Sequence, residues 1–183
     1  MHTKLSIACA VTLLAATGSA QGTYGPTGGQ QLFSLGGSIS QMSIDTGGGD
    51  FEMTSFNAQA GFGYFLTDVH EVGAFLGESY SKIDAPGGND PDDSISTDIG
   101  GYYNYNFRTT PRTWFYGGAH LGLYIADQAG QTDTNIAYGI HGGVRHWLNE
   151  SAAVFAEPRI TRSELDGDTV TTNEIIFGYS VVL

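Results

Sequence analysis

The chain has 183 residues, 27 of them Gly, with 7 Lys+Arg against 19 Asp+Glu and a formal net charge of −12. Such a length suits one domain or one barrel. The acidic balance excludes a nucleic-acid partner, which needs a basic face, and an apolar share of 40% excludes disorder.

The first element is an address. A short basic start at Met1–Lys4 precedes an apolar stretch from Leu5 to Ala16. Gly18 and Ala20 then occupy the −3 and −1 positions of a cut before Gln21. Residues 1–20 read as a secretory signal peptide. The single Cys, Cys9, lies inside it. A mature chain without Cys has no disulfide, thiol nucleophile or Cys metal site. Residues 21–30 read as a flexible lead-in, and 31–183 as one β-domain with no domain after it. No other segment reaches the roughly 18 apolar residues of a membrane-spanning helix.

From there the hydrophobic pattern has period two, the mark of strands with two unlike faces. Eight strands are predicted, near 31–44, 54–67, 70–82, 94–108, 113–126, 134–148, 151–163 and 169–183. In the second, Phe56, Ala58, Ala60, Phe62, Tyr64 and Leu66 oppose Asn57, Gln59, Gly61 and Gly63. The fifth sets Phe115, Ala119, Leu121, Leu123 and Ile125 against Tyr116, Gly118, His120 and Gly122. The eighth ends on Ile175, Phe177, Tyr179, Val181 and Leu183. Each strand exceeds the roughly 9–11 residues that cross a bilayer at a tilt. Two features break the pattern. Glu78 takes lipid-facing parity, which predicts a bulge near Gly77 or a slip turning it inward. Pro158 sits inside the seventh strand, which predicts a second bulge.

The connections alternate in kind. Tight turns follow the second, fourth and sixth strands. Longer loops at 45–53, 83–93, 127–133 and 164–168 hold twelve of the 19 acids, among them Asp45, Asp50, Asp84, Asp90, Asp92, Asp93, Asp127, Asp133, Asp166 and Asp168. Short turns at one end and longer loops at the other are how outer-membrane barrels are built. The polar faces carry Gly, Ser, Asn and Gln with few charges. They suit a narrow barrel interior better than a water-facing surface, so the apolar parity points to lipid. Tyr64, Phe107, Trp114, Phe115 and Trp147, at the turn end, form the expected aromatic girdle.

The chain resembles the small eight-stranded outer-membrane β-barrel family of OmpA/OmpX type. The resemblance rests on Gly61-Phe62-Gly63-Tyr64-Phe65-Leu66-Thr67-Asp68 followed by Glu71-Val72-Gly73, and on Gly142-Gly143-Val144-Arg145-His146-Trp147-Leu148-Asn149-Glu150. It implies an eight-stranded antiparallel up-and-down transmembrane β-barrel in the outer membrane of a Gram-negative-type bacterium, in contact with outer-membrane lipid. The run Ile175–Leu183 is similar to the terminal strand read by the barrel-assembly machinery, although it ends in Leu rather than Phe.

Parity places Asp98, His120, His141, Arg145, Glu157, Arg159 and Glu174 inside, where charges must pair or cost several kcal/mol each. An Arg–carboxylate network filling the lumen is expected. A narrow diffusion channel is the alternative. A lipid A-modifying enzyme is disfavoured, because His120, His141 and His146 are followed two residues on by Gly122, Gly143 and Leu148 rather than Ser. No catalytic set, cofactor or His-x-His metal spacing is expected. A soluble barrel holding an apolar ligand is the remaining alternative. The acidic loops, Asn89–Asp93 above all, could meet a surface partner or a hard divalent cation.

Overall fold

The computed structural model describes residues 24–45, 50–84, 94–128, 131–165 and 168–183. They form eight strands: β1 (Gln31–Asp45), β2 (Asp50–Phe65), β3 (His70–Asp84), β4 (Ser94–Arg108), β5 (Thr113–Gln128), β6 (Gln131–Trp147), β7 (Ala152–Leu165) and β8 (Asp168–Val182). Each pairs antiparallel with its chain neighbours, and β1 pairs with β8 to close the barrel. Period-two alternation produces this directly, since adjacent side chains leave opposite faces of a strand.

The two faces differ as their parity requires. Phe56, Phe62, Leu76, Ile99, Leu121, Leu123, Ile136, Ile140, Ile160, Ile175 and Phe177 are exposed on the outside. Polar side chains such as Glu71, Asn104, Asn106, His120, His141, Arg145, Glu157 and Arg159 are buried inside. Water would penalise such an outer wall, and hydrocarbon would not. Closure pairs every strand with both neighbours over part or all of its length, the arrangement that hydrocarbon favours.

Neither predicted bulge forms. The β2–β3 and β3–β4 registers run unbroken past Glu78, which lies opposite Ala58 and Thr97 and stays exposed on the outer face. A slip would have turned every β3 side chain over, expelling Glu71 and Phe75 from the lumen, and one outward carboxylate costs less. Pro158 also keeps register. Its opposite on β8 is Ile175, while on the other side the β6–β7 ladder skips Gly142–Gly143 against Glu157–Pro158 and resumes unchanged at Val144–Ala156. The missing N–H faces β6, so the ladder loses pairing without gaining a residue.

The expected contrast of turns and loops is weaker than the sequence implied. Residues 66–69, 109–112 and 148–151 join strands at one mouth, and 46–49, 85–93, 129–130 and 166–167 at the other. Only 85–93 is longer than the turns. Asp45, Asp50, Asp84, Asp127, Asp133 and Asp168 lie within strands rather than loops, with Asp45 opposite Asp50 and Leu165 opposite Asp168. Backbone pairing needs no apolar side chain once a strand has left the hydrocarbon. Asp90, Asp92, Asp93 and Asp166 lie outside the described residues.

The turn mouth is sealed by apolar packing. Leu32, Phe65, Trp114, Trp147, Ala153 and Val182 form one buried cluster, with Tyr24 against it. Trp114 and Trp147, 1% and 0% exposed, meet edge to face at 5.4 Å. Both belong inside, not in the aromatic girdle: they share strand parity with Tyr116 and Arg145. Residues 24–30, the described part of the lead-in, are docked across this mouth. Gly25 N–H donates to the Glu150 carbonyl and Gly29 N–H to that of Phe65, and Pro26 is fully buried. Gly25 has φ +84°, and a Cβ there would lie 2.7 Å from both indoles. Only Gly fits so close beneath the tryptophans.

Candidate functional site

Among the described residues, polar side chains converge in the lumen. In its lower part Glu71, 1% exposed, accepts from Tyr102 Oη at 3.0 Å and from Asn106 Nδ2 at 3.3 Å. Arg145 reaches the same carboxylate at 3.5 Å and the Asn106 amide oxygen at 3.4 Å. Its guanidinium also lies 4.9 Å from the Tyr116 ring centroid, in cation–π range. Next to it, Arg159 donates through Nη2 and Nε to Glu157 Oε1 at 2.6 and 3.1 Å, and through Nη1 to Gln59 Oε1 at 2.6 Å. Tyr116 Oη donates to the other Glu157 oxygen at 2.9 Å.

A chain of neutral donors links the walls. Thr161 Oγ1 meets His120 Nε2 at 3.0 Å, His120 Nδ1 meets His141 Nδ1 at 3.3 Å, and His141 Nε2 meets Asn104 Oδ1 at 2.6 Å. One proton per imidazole satisfies the whole chain, with each link donating toward Asn104. Asn104 Nδ2 then donates to Glu71 at 3.4 Å. Nearer the loop mouth, Ser38 Oγ donates to Glu174 Oε2 at 3.1 Å. Asp98, half-buried on β4, shares the inward parity of Tyr102 and Asn104.

All seven charged and His residues expected inside therefore lie on the inner face. The pairing differs from a single Arg–carboxylate cluster on neighbouring strands. Arg145 pairs across the barrel with Glu71 on β3, not with Glu157 on adjacent β7. Sequence reading did not count Glu71 among the inward charges, although its parity relative to Val72, Ala74 and Leu76 marked it as inward. Tyr102, Asn104, Asn106 and Tyr116 had inward parity, but nothing local showed that they would converge. Tyr64, Phe107 and Phe115 lie exposed on the outer face near the turn mouth.

This network fills space. Among the described residues the lumen holds a cavity of about 40 Å³ between Gln59, Glu71, Tyr116, Arg145 and Arg159. That is room for about one water. No nucleophilic hydroxyl is held by a His–acid pair in these contacts. Among the described residues, no group of three or more His, Cys, Asp or Glu side chains is placed to hold a metal.

Comparison with solved structures decides the fold. Neisserial surface protein A superposes with a TM-score of 0.60 at 20% identity, covering 86% of this chain and 99% of that one. The chain has the fold of the small outer-membrane β-barrels. OprG of Pseudomonas aeruginosa gives a TM-score of 0.58 at 11% identity over 88% of this barrel chain and 99% of its own. Ail of Yersinia pestis, in a phospholipid nanodisc, gives 0.52 at 17% over 85% and 99%. No family model and no curated protein sequence matches the chain.

Proposed function

We propose that the chain is a non-enzymatic outer-membrane barrel protein of a Gram-negative-type bacterium, with a structural or surface-contact role. The observation that carries this reading is the pairing of an apolar outer wall with a lumen closed by the Glu71–Arg145 and Glu157–Arg159 pairs. Two buried ion pairs, each with further side-chain hydrogen bonds to its carboxylate, suit a plug that fixes a barrel. The turn mouth would face the periplasm and the acid-rich mouth the outside. Leader removal would precede assembly, with β8 offering its outward Ile175, Phe177, Tyr179 and Val181, and Leu183 just past its end, to the assembly machinery. Tyr64, Phe107 and Phe115 would lie at the inner lipid interface, where aromatic girdles form.

The acid-rich mouth sets the chemistry of any surface partner. One solved form of Ail is a complex with the heparin analogue sucrose octasulfate. A chain with 19 acids against 7 basic residues favours cationic partners over such polyanions.

The test is expression of the full chain in a Gram-negative host, followed by gel mobility of the outer-membrane fraction with and without boiling. A heat-dependent shift supports a folded membrane barrel. Soluble protein with no shift would overturn the reading. Planar-bilayer recording then separates a plug from a narrow channel, and a steady large conductance would favour the channel.

A further inference from the structure

The barrel wall is not equally closed all round. The β1–β8 ladder runs only from Leu32 opposite Val182 to Gly37 opposite Phe177. Both strands continue well past that point, β1 to Asp45 and β8 down to Asp168. Just beyond the last pair, the Ser38–Glu174 hydrogen bond spans the seam by side chains alone. One strand further round, Pro158 removes pairing from β6–β7 at the same side of the wall. The β7–β8 hairpin is thus bound to itself throughout, but incompletely to either neighbour.

A cleft of about 870 Å³ opens here. Its lining is of two kinds. Ile39, Ile160, Ile175 and Phe177 come from the outer, apolar parity, and Ile39 is 76% exposed. Arg159 and Glu174 come from the inner face. The cleft is therefore bordered by residues of both the lipid-facing and the inner parity. Arg159 is committed to its own partners: all three guanidinium nitrogens donate to Glu157 or Gln59, and the Glu157 carboxylate offsets its charge. Glu174, opposite Arg159 in the β7–β8 register, accepts from Ser38 and forms no ion pair among the described contacts. The unmet charge at the inner end is negative.

We propose that this seam binds an amphiphile with an alkyl chain and a cationic ammonium head. The chain lies along Ile39, Ile160, Ile175 and Phe177, and the head passes between β1 and β8 to Glu174. Hydrocarbon outside and a carboxylate within match such a molecule end for end. An anionic or neutral head of the same chain length would gain no partner there.

The experiment uses the full barrel in phosphatidylcholine nanodiscs, with Phe177→Trp as a fluorescent reporter. The native tryptophans are buried at the turn mouth, away from the cleft. The probes are terminally brominated dodecylammonium, dodecanoate and dodecanol, which quench only a nearby indole. The ammonium probe is expected to quench the reporter at about tenfold lower mole fraction than the other two, the scale of one charge-assisted contact. Glu174→Gln should erase that preference. A disulfide between Ile39→Cys and Ile175→Cys, closing the seam, should abolish quenching until it is reduced. Equal quenching by all three probes would overturn the proposal, as would a preference that survives Glu174→Gln. The heat-dependent gel shift, read on every variant, separates loss of the site from loss of the barrel.

Discussion

At the scale of single residues, the lumen is held by charges that cannot be removed one at a time. Glu71→Gln leaves Arg145 buried with its counter-charge gone and is expected to cost about 3–5 kcal/mol. Glu71→Gln with Arg145→Met removes both charges and should cost less than either change alone. Urea unfolding of the refolded barrel in micelles checks the inequality, and additive losses would show that the two side chains are not coupled. Gly25 is a different case. Gly25→Ala needs a left-handed backbone with a Cβ among two indoles, a strain of order 1–3 kcal/mol. The expected outcome is an undocked segment 24–30 and red-shifted tryptophan emission, with the barrel still folded.

The elements show how strongly a ladder resists local misfits. Glu78 and Pro158 both leave the strand registers intact. A β-strand turns all its side chains together, so one unfavourable residue is outvoted by its neighbours. Pro158→Ala restores an N–H toward β6. It is expected to add about 0.5–1.5 kcal/mol of stability and a new slowly exchanging amide at position 158. Amide exchange read by NMR checks this, and a rapidly exchanging amide there would mean that the gap is not due to the missing donor. Strand lengths of 14–17 residues also exceed the roughly 9–11 needed to cross a bilayer. The surplus carries Asp45, Asp50, Asp84, Asp127 and Asp168 beyond the apolar band as strand rather than loop.

For the whole molecule, the lumen decides what can pass. Above the sealed tryptophan mouth, the cavity of about 40 Å³ among the polar pairs has room for about one water. Bilayer recordings of the intact protein are expected to lack steady conductance. Trp114→Ala with Trp147→Ala should unseal the mouth yet leave conductance small, because the polar pairs lie above it. A large pore in that variant would place the barrier at the mouth instead. The acidic surplus further predicts that sucrose octasulfate does not bind, which calorimetry on the reconstituted barrel would check.

Period-two alternation, eight times over, determined the strand count, the outward face and the inward residues, because a strand's side-chain direction depends only on position. The same parity already pointed Trp114, Trp147 and Glu71 inward, but aromatic type and closeness to a turn masked it. Three features depended on closure of the barrel. Arg145 found Glu71 across the lumen rather than Glu157 beside it, since closure brings β3 and β6 face to face. Residues 24–30 became a cover over the turn mouth, because the ring of strands made a mouth to cover. The short β1–β8 seam exists only where the first and last strands meet, and no local pattern along either strand records how far they pair.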